Sequence, residues 1–186
     1  MRVNVITKQS MQETQTLYEG KFLRLIKNAH WEYVQRVNAS GAVHILAITP
    51  ENELLLVEQQ RLPVGEVVIE LPAGVIGDEA GREQETPEQA AARELVEETG
   101  YRAERVERLY QGPSSPGMAS EIVTMVRAFN LQQVGEGGGV EGENITVRRI
   151  PLTEISAWLA ARMAEGRLID HKVYAALYFI RDSLKS

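Results

Sequence analysis

The chain has 186 residues, a mass of 20.8 kDa and no cysteine, which suits one domain with a sizeable core and excludes disulfides, thiolate metal sites and cysteine nucleophiles. Its formal net charge of -6 at pH 7 argues against a nucleic-acid binder, because such proteins carry a basic surface. It has no signal-peptide pattern and no apolar run of membrane-spanning length, so we expect a cytoplasmic protein with no membrane contact.

Short strands joined by turns are predicted for the first forty residues. Together they bury too little apolar surface to form a core of their own. We therefore expect a small strand-rich N-terminal part at residues 1–40 and the main domain at residues 41–186. The predicted strands cover residues 3–6, 14–18, 21–27 and 31–37.

Three further strands are predicted before the first helix. Residues 42–49 and 53–61 are mostly apolar, and the turn residues between them predict a hairpin. Residues 67–72 are the third strand, and the polar, glycine-containing residues 75–86 are a predicted loop.

A helix is predicted at residues 87–99, with sequence markers at both ends. Thr86 is the expected N-cap, Pro87 suits the first helical position and Gln89 completes a capping box. Gly100 ends the helix.

More strands and two helices are predicted for the rest of the chain. Loops are expected at residues 113–120 and, as a flexible acidic segment, at residues 135–144. This order of elements predicts an α+β fold, with helices packed against a mixed sheet. The strands cover residues 105–112, 121–134 and 145–152, one helix begins at Thr153, and the last covers residues 170–184.

Three carboxylates crowd one side of the predicted helix at residues 87–99. Glu94, Glu97 and Glu98 lie within about one turn, although like charges four residues apart cost roughly 0.2–0.5 kcal/mol. The cluster is either a solvated face or a site for a hard cation such as Mg²⁺, which prefers oxygen ligands. A second acidic pair, Glu141 and Glu143, lies in a glycine-rich loop and favours the cation site.

The segment from Glu85 to Tyr101 resembles the Nudix box of the Nudix hydrolases. Glu85 is followed, after seven residues, by the motif RELVEETGY, which begins at Arg93 and matches the box at each remaining position. Gly74 is equivalent to the first glycine of the box, but ten residues rather than five separate it from Glu85. We therefore expect an insertion in the loop at residues 75–84.

Other segments are similar to one Nudix branch, the ADP-ribose and other nucleoside-diphosphate-sugar pyrophosphatases. The resemblance implies a Nudix-type α/β/α sandwich with a mixed sheet, Mg²⁺-dependent hydrolysis with Mn²⁺ as the alternative ion, and a homodimer formed through the N-terminal part. The glycine run at residues 137–139 also resembles that of the GDP-mannose hydrolases in this branch. The matching segments are Gln59 to Arg61, Glu70 to Gly74, Ser115 to Gly117 with Glu121, and Gly137 to Ile145.

The resemblance implies a metal site and a general base. Glu141 would be the base and Glu97 and Glu98 further catalytic residues, although Glu141 and Glu143 could exchange roles. Glu85 and Arg93 would form a structural ion pair. The implied metal ligands are Glu94, Glu97, Glu98, Glu143 and the backbone carbonyl of Ala73.

Residues that contact the substrate are implied by the same resemblance. Arg61 would neutralise the diphosphate, although an arginine at a strand end is as often a surface residue. Trp31 is a candidate from its residue type rather than from the resemblance: its ring would stack on the base, although an aromatic residue in a strand is more often a packing or interface residue. The resemblance implies Arg61, Ser115, Gly117 and Glu121 as substrate-binding residues, and Trp31 is added as the aromatic candidate.

These features predict a Mg²⁺-dependent pyrophosphatase that acts on a nucleoside diphosphate sugar, with no macromolecular partner besides its own second copy. ADP-ribose is the leading substrate, with AMP and ribose 5-phosphate as products. A GDP-mannose-type hydrolase is the nearest alternative, and a Nudix-fold module that binds a nucleotide without cleaving it is the alternative of another class. The complete set of Glu94, Glu97 and Glu98 favours an enzyme.

Overall fold

The computed structural model of the protein describes residues 14–140 and 142–183, without the side chains of Asp182 and Ser183. Three sequence predictions fall outside the described residues: the strand at residues 3–6, the helix end at Leu184 and the candidate base Glu141.

Short strands dominate the described chain, and they fall into one small sheet, two larger sheets and one short pair. The strands are β1 (Gln15–Glu19), β2 (Leu23–Asn28), β3 (Trp31–Arg36), β4 (Gly41–Ala47), β5 (Glu53–Arg61), β6 (Glu66–Glu70), β7 (Ala73–Ile76), β8 (Tyr101–Arg102), β9 (Arg105–Pro113), β10 (Ile122–Phe129), β11 (Gln132–Gln133), β12 (Ile145–Pro151) and β13 (Leu168–Ile169). The helices are α1 (Pro87–Thr99), α2 (Ile155–Ala164) and α3 (His171–Ser183).

The two four-stranded sheets are mixed, as the sequence predicted. Strands β1, β2 and β3 form an antiparallel sheet of their own. One four-stranded sheet has the order β7-β4-β10-β9, and the other has the order β12-β5-β6-β13. Each contains one parallel pair, β4 with β10 in the first and β6 with β13 in the second.

The predicted hairpin of β4 and β5 is wrong, because the two strands belong to different sheets. The turn between them does form, with the Thr49 N–H donating to the Glu53 carbonyl at 2.9 Å, but the strands separate after one bridge between Ile48 and Leu54. All of β4 and residues 54–57 of β5 are buried, and both strands have neighbours on both edges. An apolar run therefore indicated a central strand but not its partner.

Helices cover the β layer on both faces. Alternate residues of β4 and β5 point to opposite faces, as expected for strands, so each strand contributes to two cores. The α+β class with helices packed on mixed sheets is therefore confirmed. The core on the α1 side includes Ile45, Leu55 and Leu95, and the core on the α2 and α3 side includes Leu46, Leu54 and Leu159.

Helix α1 has the limits that the sequence predicted. The Thr86 side chain accepts a hydrogen bond from the Gln89 N–H, and the Gln89 side chain accepts one from the Thr86 N–H. Gly100 ends the helix with φ +73°, and its N–H donates to the Val96 carbonyl. Local capping chemistry was enough to predict both ends.

Several boundaries differ from the prediction. Strand β7 lies at the start of what was predicted as the loop at residues 75–86, where it pairs with β4. Helix α2 begins at Ile155 rather than Thr153, and its N-cap residue Glu154 makes no side-chain capping bond. The predicted strand at residues 121–134 is broken at Asn130, which has φ +53°. Two-residue strands such as β8 and β13 were not predicted, because so short a segment has no periodicity.

The three-stranded sheet contacts the rest of the chain through β3. The Val34 N–H donates to the Met118 carbonyl at 2.8 Å, and the Ser120 N–H donates to the Val34 carbonyl at 3.1 Å. Arg36 of the same strand forms an ion pair with Glu121. The division into residues 1–40 and 41–186 remains a prediction. No helix in the described part of the chain is long and apolar enough to cross a membrane.

Candidate active site

Glu98 is the most deeply buried carboxyl group on α1. Its side chain lies at the interface between the helix and β7, and the residue is only 5% exposed. One carboxylate oxygen, Oε2, accepts a hydrogen bond of 2.9 Å from the Ala73 N–H at the start of β7. The helix and the strand therefore hold this carboxyl group in place from opposite sides.

Glu94, one turn earlier on α1, lies directly against Gly74. A Cβ atom added to Gly74 would lie 2.0 Å from Oε1 of Glu94, so no larger residue fits there without moving the carboxylate. Gly74 was matched to the first glycine of the Nudix box, and this close approach is the physical reason for a glycine at that position.

Arg93 connects the carboxylates of α1 with the loop before the helix. Its guanidinium donates to both oxygens of Glu85, at 3.2 and 3.1 Å, and its side chain is 10% exposed. Its Nη1 atom also lies 2.8 Å from Glu94 and 3.2 Å from the partly exposed Glu97. The predicted structural pair of Glu85 and Arg93 is present, and it belongs to a larger network.

Burial, with a smaller contribution from charge repulsion, makes Glu94 and Glu98 hard to ionise. Burial, with smaller contributions from the charges of Glu94 and Glu143, raises the pKa of Glu98 to about 8, despite the hydrogen bond from Ala73. Burial also raises the pKa of Glu94 to about 7, helped by Glu97 and Glu143 and opposed by Arg93. A bound cation would favour the ionised form of both groups.

The donor set of this face fits a hard divalent cation. It offers carboxylate oxygens from Glu94, Glu97 and Glu98, with Glu143 close enough for its charge to act on Glu94 and Glu98. Within residues 14–140 and 142–183, however, no three acidic or histidine side chains already converge as metal ligands. Instead, the Glu94 carboxylate is bound by Arg93 and the Glu98 carboxylate by the amide of Ala73.

Arg61 is close to the acidic face but has a partner of its own. Its Nη2 atom lies 2.5 Å and its Nε atom 2.9 Å from the carboxylate oxygens of Glu70, whose side chain is 6% exposed. The positive charge of Arg61 also lowers the pKa of Glu98. Arg61 is a predicted site residue and its partner Glu70 is not, although both lie in segments that resemble the Nudix branch.

The other predicted substrate-binding residues lie on two different parts of the chain. Ser115 and Gly117 are in the turn before β10, where the Ser115 carbonyl accepts bonds from the N–H groups of Met118 and Ala119. Glu121 is paired with Arg36. Trp31 begins β3 in the three-stranded sheet, is 52% exposed and lies beside the ring of His30. The structure therefore groups Arg61 with the α1 carboxylates but places Trp31 in a separate sheet.

His44 is a buried polar residue to which the sequence analysis gave no role. It lies in β4 opposite Ala73 of β7, is 8% exposed, and its Nδ1 atom has no hydrogen-bond partner among the described residues. Burial and the charge of Lys172 lower the pKa of His44 to about 3, so the imidazole is neutral. A histidine inside an apolar strand indicated burial, but its neighbours at the start of α3 could not be predicted from sequence.

Comparison with known proteins supports the family resemblance. The NUDIX domain family model matches residues 39–173. The methanol dehydrogenase activator of Bacillus methanolicus is 32% identical over 176 residues, which cover 91% of this chain and 90% of the relative. The ADP-ribose pyrophosphatase of Bacillus subtilis (strain 168) is 35% identical over 147 residues, with 78% and 74% covered. A GDP-mannose pyrophosphatase of Yersinia enterocolitica is 32% identical over 148 residues, with 75% and 74% covered.

A solved structure shows the same fold. The crystal structure of an ADP compounds hydrolase superposes with a TM-score of 0.73 at 21% identity, and the match covers 95% of this chain and 94% of that one. The expected Nudix-type sandwich is thereby confirmed. Since the family model spans most of the sequence and the relatives exceed 30% identity over at least three quarters of it, the chain belongs to the Nudix hydrolase family.

Proposed function

We propose that this Nudix hydrolase is a Mg²⁺-dependent pyrophosphatase that cleaves the diphosphate of a nucleoside diphosphate sugar, with ADP-ribose as the preferred substrate. The observation that carries the proposal is the buried acidic face of α1. Glu98 and Glu94 are held against β7 with pKa values raised to about 8 and about 7. A face this costly to ionise is understandable if a cation binds there during turnover.

The proposed metal ligands are Glu94, Glu97, Glu98 and Glu143, with the backbone carbonyl of Ala73. Bound Mg²⁺ would neutralise charge on the diphosphate and acidify the attacking water. Glu141, which lies outside the described residues, is the proposed base that accepts a proton from this water. Attack at one phosphorus then breaks its bond to the bridging oxygen, and ADP-ribose yields AMP and ribose 5-phosphate.

The proposed contact with the diphosphate comes from Arg61. Glu70 binds two nitrogens of the guanidinium, Nε and Nη2, and thereby fixes the orientation of the whole group. Nη1 is the nitrogen that we propose contacts the substrate. The side chain is 41% exposed, which leaves it accessible from solvent. Ser115, Gly117, Glu121 and Trp31 remain proposed contacts of the sugar and the base.

ADP-ribose is preferred over GDP-mannose for two reasons. The Bacillus subtilis relative named ADP-ribose pyrophosphatase is 35% identical, against 32% for the Yersinia enterocolitica GDP-mannose pyrophosphatase. The glycine run at residues 137–139 had favoured GDP-mannose in the sequence analysis. Its backbone packs against the end of α1, and this role carries no information about the base.

A substrate panel tests the proposal. We expect the protein with Mg²⁺ to hydrolyse ADP-ribose with a higher kcat/KM than GDP-mannose, UDP-glucose or NADH. Chromatography of the reaction should show AMP and ribose 5-phosphate in equal amounts, and excess EDTA should abolish turnover.

Two outcomes of the panel would contradict the proposal in different ways. If GDP-mannose gave the highest kcat/KM, the substrate would be wrong and the chemistry right. If a nucleotide bound tightly, by calorimetry, while no compound in the panel was cleaved with either Mg²⁺ or Mn²⁺, the chain would be a binding module.

We also propose a homodimer formed through the three-stranded sheet, which carries exposed apolar side chains. Exposed apolar groups gathered on one small sheet are typical of an interface. Light scattering should give a mass of twice 20.8 kDa for the wild-type protein. Phe22→Glu should give a monomer, whereas Tyr178→Glu, an exposed aromatic residue on α3, should not. A monomeric wild type would refute the interface. The exposed side chains are Leu17, Tyr18, Phe22, Leu23 and Trp31.

A further inference from the structure

The backbone of the glycine run at residues 137–139, here called the glycine clasp, is hydrogen-bonded to the end of α1. The Gly138 N–H donates to the Glu98 carbonyl at 2.8 Å, and the Gly139 N–H donates to the Glu97 carbonyl at 3.0 Å. Carbonyls in the last turn of a helix have no partner within the helix. The loop therefore binds the backbone of Glu97 and Glu98, two of the three residues whose side chains form the acidic face.

Gly137 makes this contact sterically possible. Its φ is +72°, and a Cβ atom added there would lie 2.4 Å from the carbonyl carbon of Thr99 and 2.5 Å from the carbonyl oxygen of Glu98. Both neighbours are backbone atoms of α1, which cannot rotate away as a flexible side chain could. A side chain at position 137 would therefore push the loop off the helix.

Gly139 fits closely against Glu143. A Cβ atom added to Gly139 would lie 2.6 Å from Oε2 of Glu143 and 2.9 Å from its Cβ atom. The same Oε2 accepts a hydrogen bond from the Val140 N–H at 3.1 Å, and the Glu143 N–H donates to the Val140 carbonyl at 3.0 Å. Gly139 therefore leaves the space that this position of the Glu143 carboxylate requires.

We propose that the glycine clasp is a positioning element for catalysis, which holds the acidic loop at a fixed distance from the carboxylates of α1. Gly137 anchors the loop to the helix, and Gly139 sets the position of Glu143. The contacts of the clasp are with the backbone of α1 and with Glu143, so its residues would act on the reaction through Glu143. This inference rests on the proposed pyrophosphatase function.

The sequence alone supports the opposite interpretation, in which three successive glycines form a flexible hinge. The two interpretations differ in what alanine should do. A hinge tolerates Gly137→Ala, since alanine keeps much of its mobility. A clasp does not, because the first atom of the side chain already meets the backbone of Thr99.

Alanine substitutions at the two positions test the clasp against a matched control. Gly166→Ala is the control, because Gly166 has φ +79° but no atom within 4 Å of an added Cβ. We expect Gly137→Ala and Gly139→Ala to lower kcat for ADP-ribose by at least about tenfold and to change KM by less than about threefold, since misplacement affects chemistry more than binding. Gly166→Ala should keep the wild-type kcat.

Two measurements that do not depend on turnover complete the test. Amide hydrogen exchange of the protein without metal should be faster at Gly138 and Gly139 in Gly137→Ala than in wild type. Mn²⁺ binding measured by calorimetry should be weaker by about tenfold in Gly139→Ala, because Glu143 is displaced. Circular dichroism checks that each variant is folded. If Gly137→Ala does not fold, the kcat and Mn²⁺ affinity of Gly139→Ala test the proposal.

Specific results would overturn the clasp. Wild-type Mn²⁺ affinity and kcat in Gly139→Ala would do so, as would wild-type exchange rates in a folded Gly137→Ala. An equal loss of kcat in Gly166→Ala would also do so, because it would indicate general backbone strain. If the wild-type protein cleaved none of the substrates, the proposed function would fail. The exchange and Mn²⁺ measurements would still support or overturn the clasp itself.

Discussion

Replacing Glu98 with glutamine should lower kcat for ADP-ribose by at least about 10²-fold, because it removes a charge proposed to hold the metal against the diphosphate. The fold should survive. Glutamine keeps an oxygen that can accept the hydrogen bond of 2.9 Å from the Ala73 N–H, and its size is nearly the same. Steady-state kinetics at saturating Mg²⁺ provide the measurement.

The matched control for Glu98→Gln is Glu88→Gln. Glu88 lies in the first turn of the same helix. Its Oε1 atom lies 3.2 Å from Nη2 of Arg108, and both side chains are partly exposed. An exposed pair of this kind contributes about 0–1 kcal/mol to stability, and it lies outside the proposed site. Near-normal turnover in Glu98→Gln, or an equal loss in Glu88→Gln, would refute the metal assignment.

The stability of Glu98→Gln should depend on pH differently from that of the wild type. Because burial raises the pKa of Glu98 from 4.5 to about 8, the folded state binds the proton more tightly than the unfolded state. Without metal, the wild-type free energy of unfolding should therefore fall as pH rises from 4.5 to about 8. At pH 8 without metal, Glu98→Gln should be more stable than wild type by at least about 1 kcal/mol in urea unfolding.

Mg²⁺ should reverse this order, since it favours the ionised carboxyl group. Adding Mg²⁺ at pH 8 should stabilise the wild type and have little effect on Glu98→Gln. A wild-type stability that does not change with pH over this window would show that the buried carboxyl is not the group whose ionisation destabilises the fold.

Features of this fold that depend on interactions between residues close in sequence could be predicted, and those that depend on distant residues could not. Helix α1 and its caps were predicted because Thr86, Gln89 and Gly100 act on groups within four residues of themselves. The acidic face followed from the spacing of Glu94 and Glu98 on one helix. Strand β5 pairs with β6, which follows it directly in the chain. The partners β7 and β10 of β4 and the partner β12 of β5 could not be predicted, because they are far away in sequence and an apolar strand does not specify them.

The contacts that complete the candidate site have the same long-range character. The Glu98 carboxylate accepts a hydrogen bond from the amide of Ala73, 25 residues earlier. The Glu98 carbonyl accepts one from the N–H of Gly138, in a loop that follows α1 in the chain. Backbone donors leave no mark in the side-chain pattern. The sequence therefore shows that residues 74 and 137 are glycines, but only the structure shows the close approaches that require a glycine there.

Removing Arg93 should have the largest effect on stability. We expect Arg93→Ala to lower the free energy of unfolding by about 3–5 kcal/mol, the usual cost of leaving a buried charge without its partner. Arg93 and Glu85 are 10% and 8% exposed, and the guanidinium donates to both oxygens of Glu85. Urea unfolding at pH 7 measures the loss.

Arg82→Ala is the matched control, since Arg82 lies near the same carboxylate. Its side chain is 44% exposed. Its Nε atom lies 2.9 Å from Oε2 of Glu79, and its Nη1 atom lies 3.6 Å from Oε1 of Glu85. Surface pairs of this kind contribute about 0–1 kcal/mol, so this variant should lose no more than that. An equal loss in both variants would mean that the loop, rather than the buried pair, determines the stability.

A second substitution identifies which carboxylate causes the loss. If unpaired Glu85 is responsible, Glu85→Gln added to Arg93→Ala should restore part of the lost stability, because the uncompensated buried charge is then absent. Mg²⁺ should not replace Arg93 there, since Glu85 is outside the proposed ligand set. Arg93→Lys should have a lower free energy of unfolding than the wild type. A single ammonium group cannot reproduce the guanidinium hydrogen bonds that connect Glu85 and Glu94. Full stability in Arg93→Lys would show that charge alone, and not this geometry, ties the loop to α1.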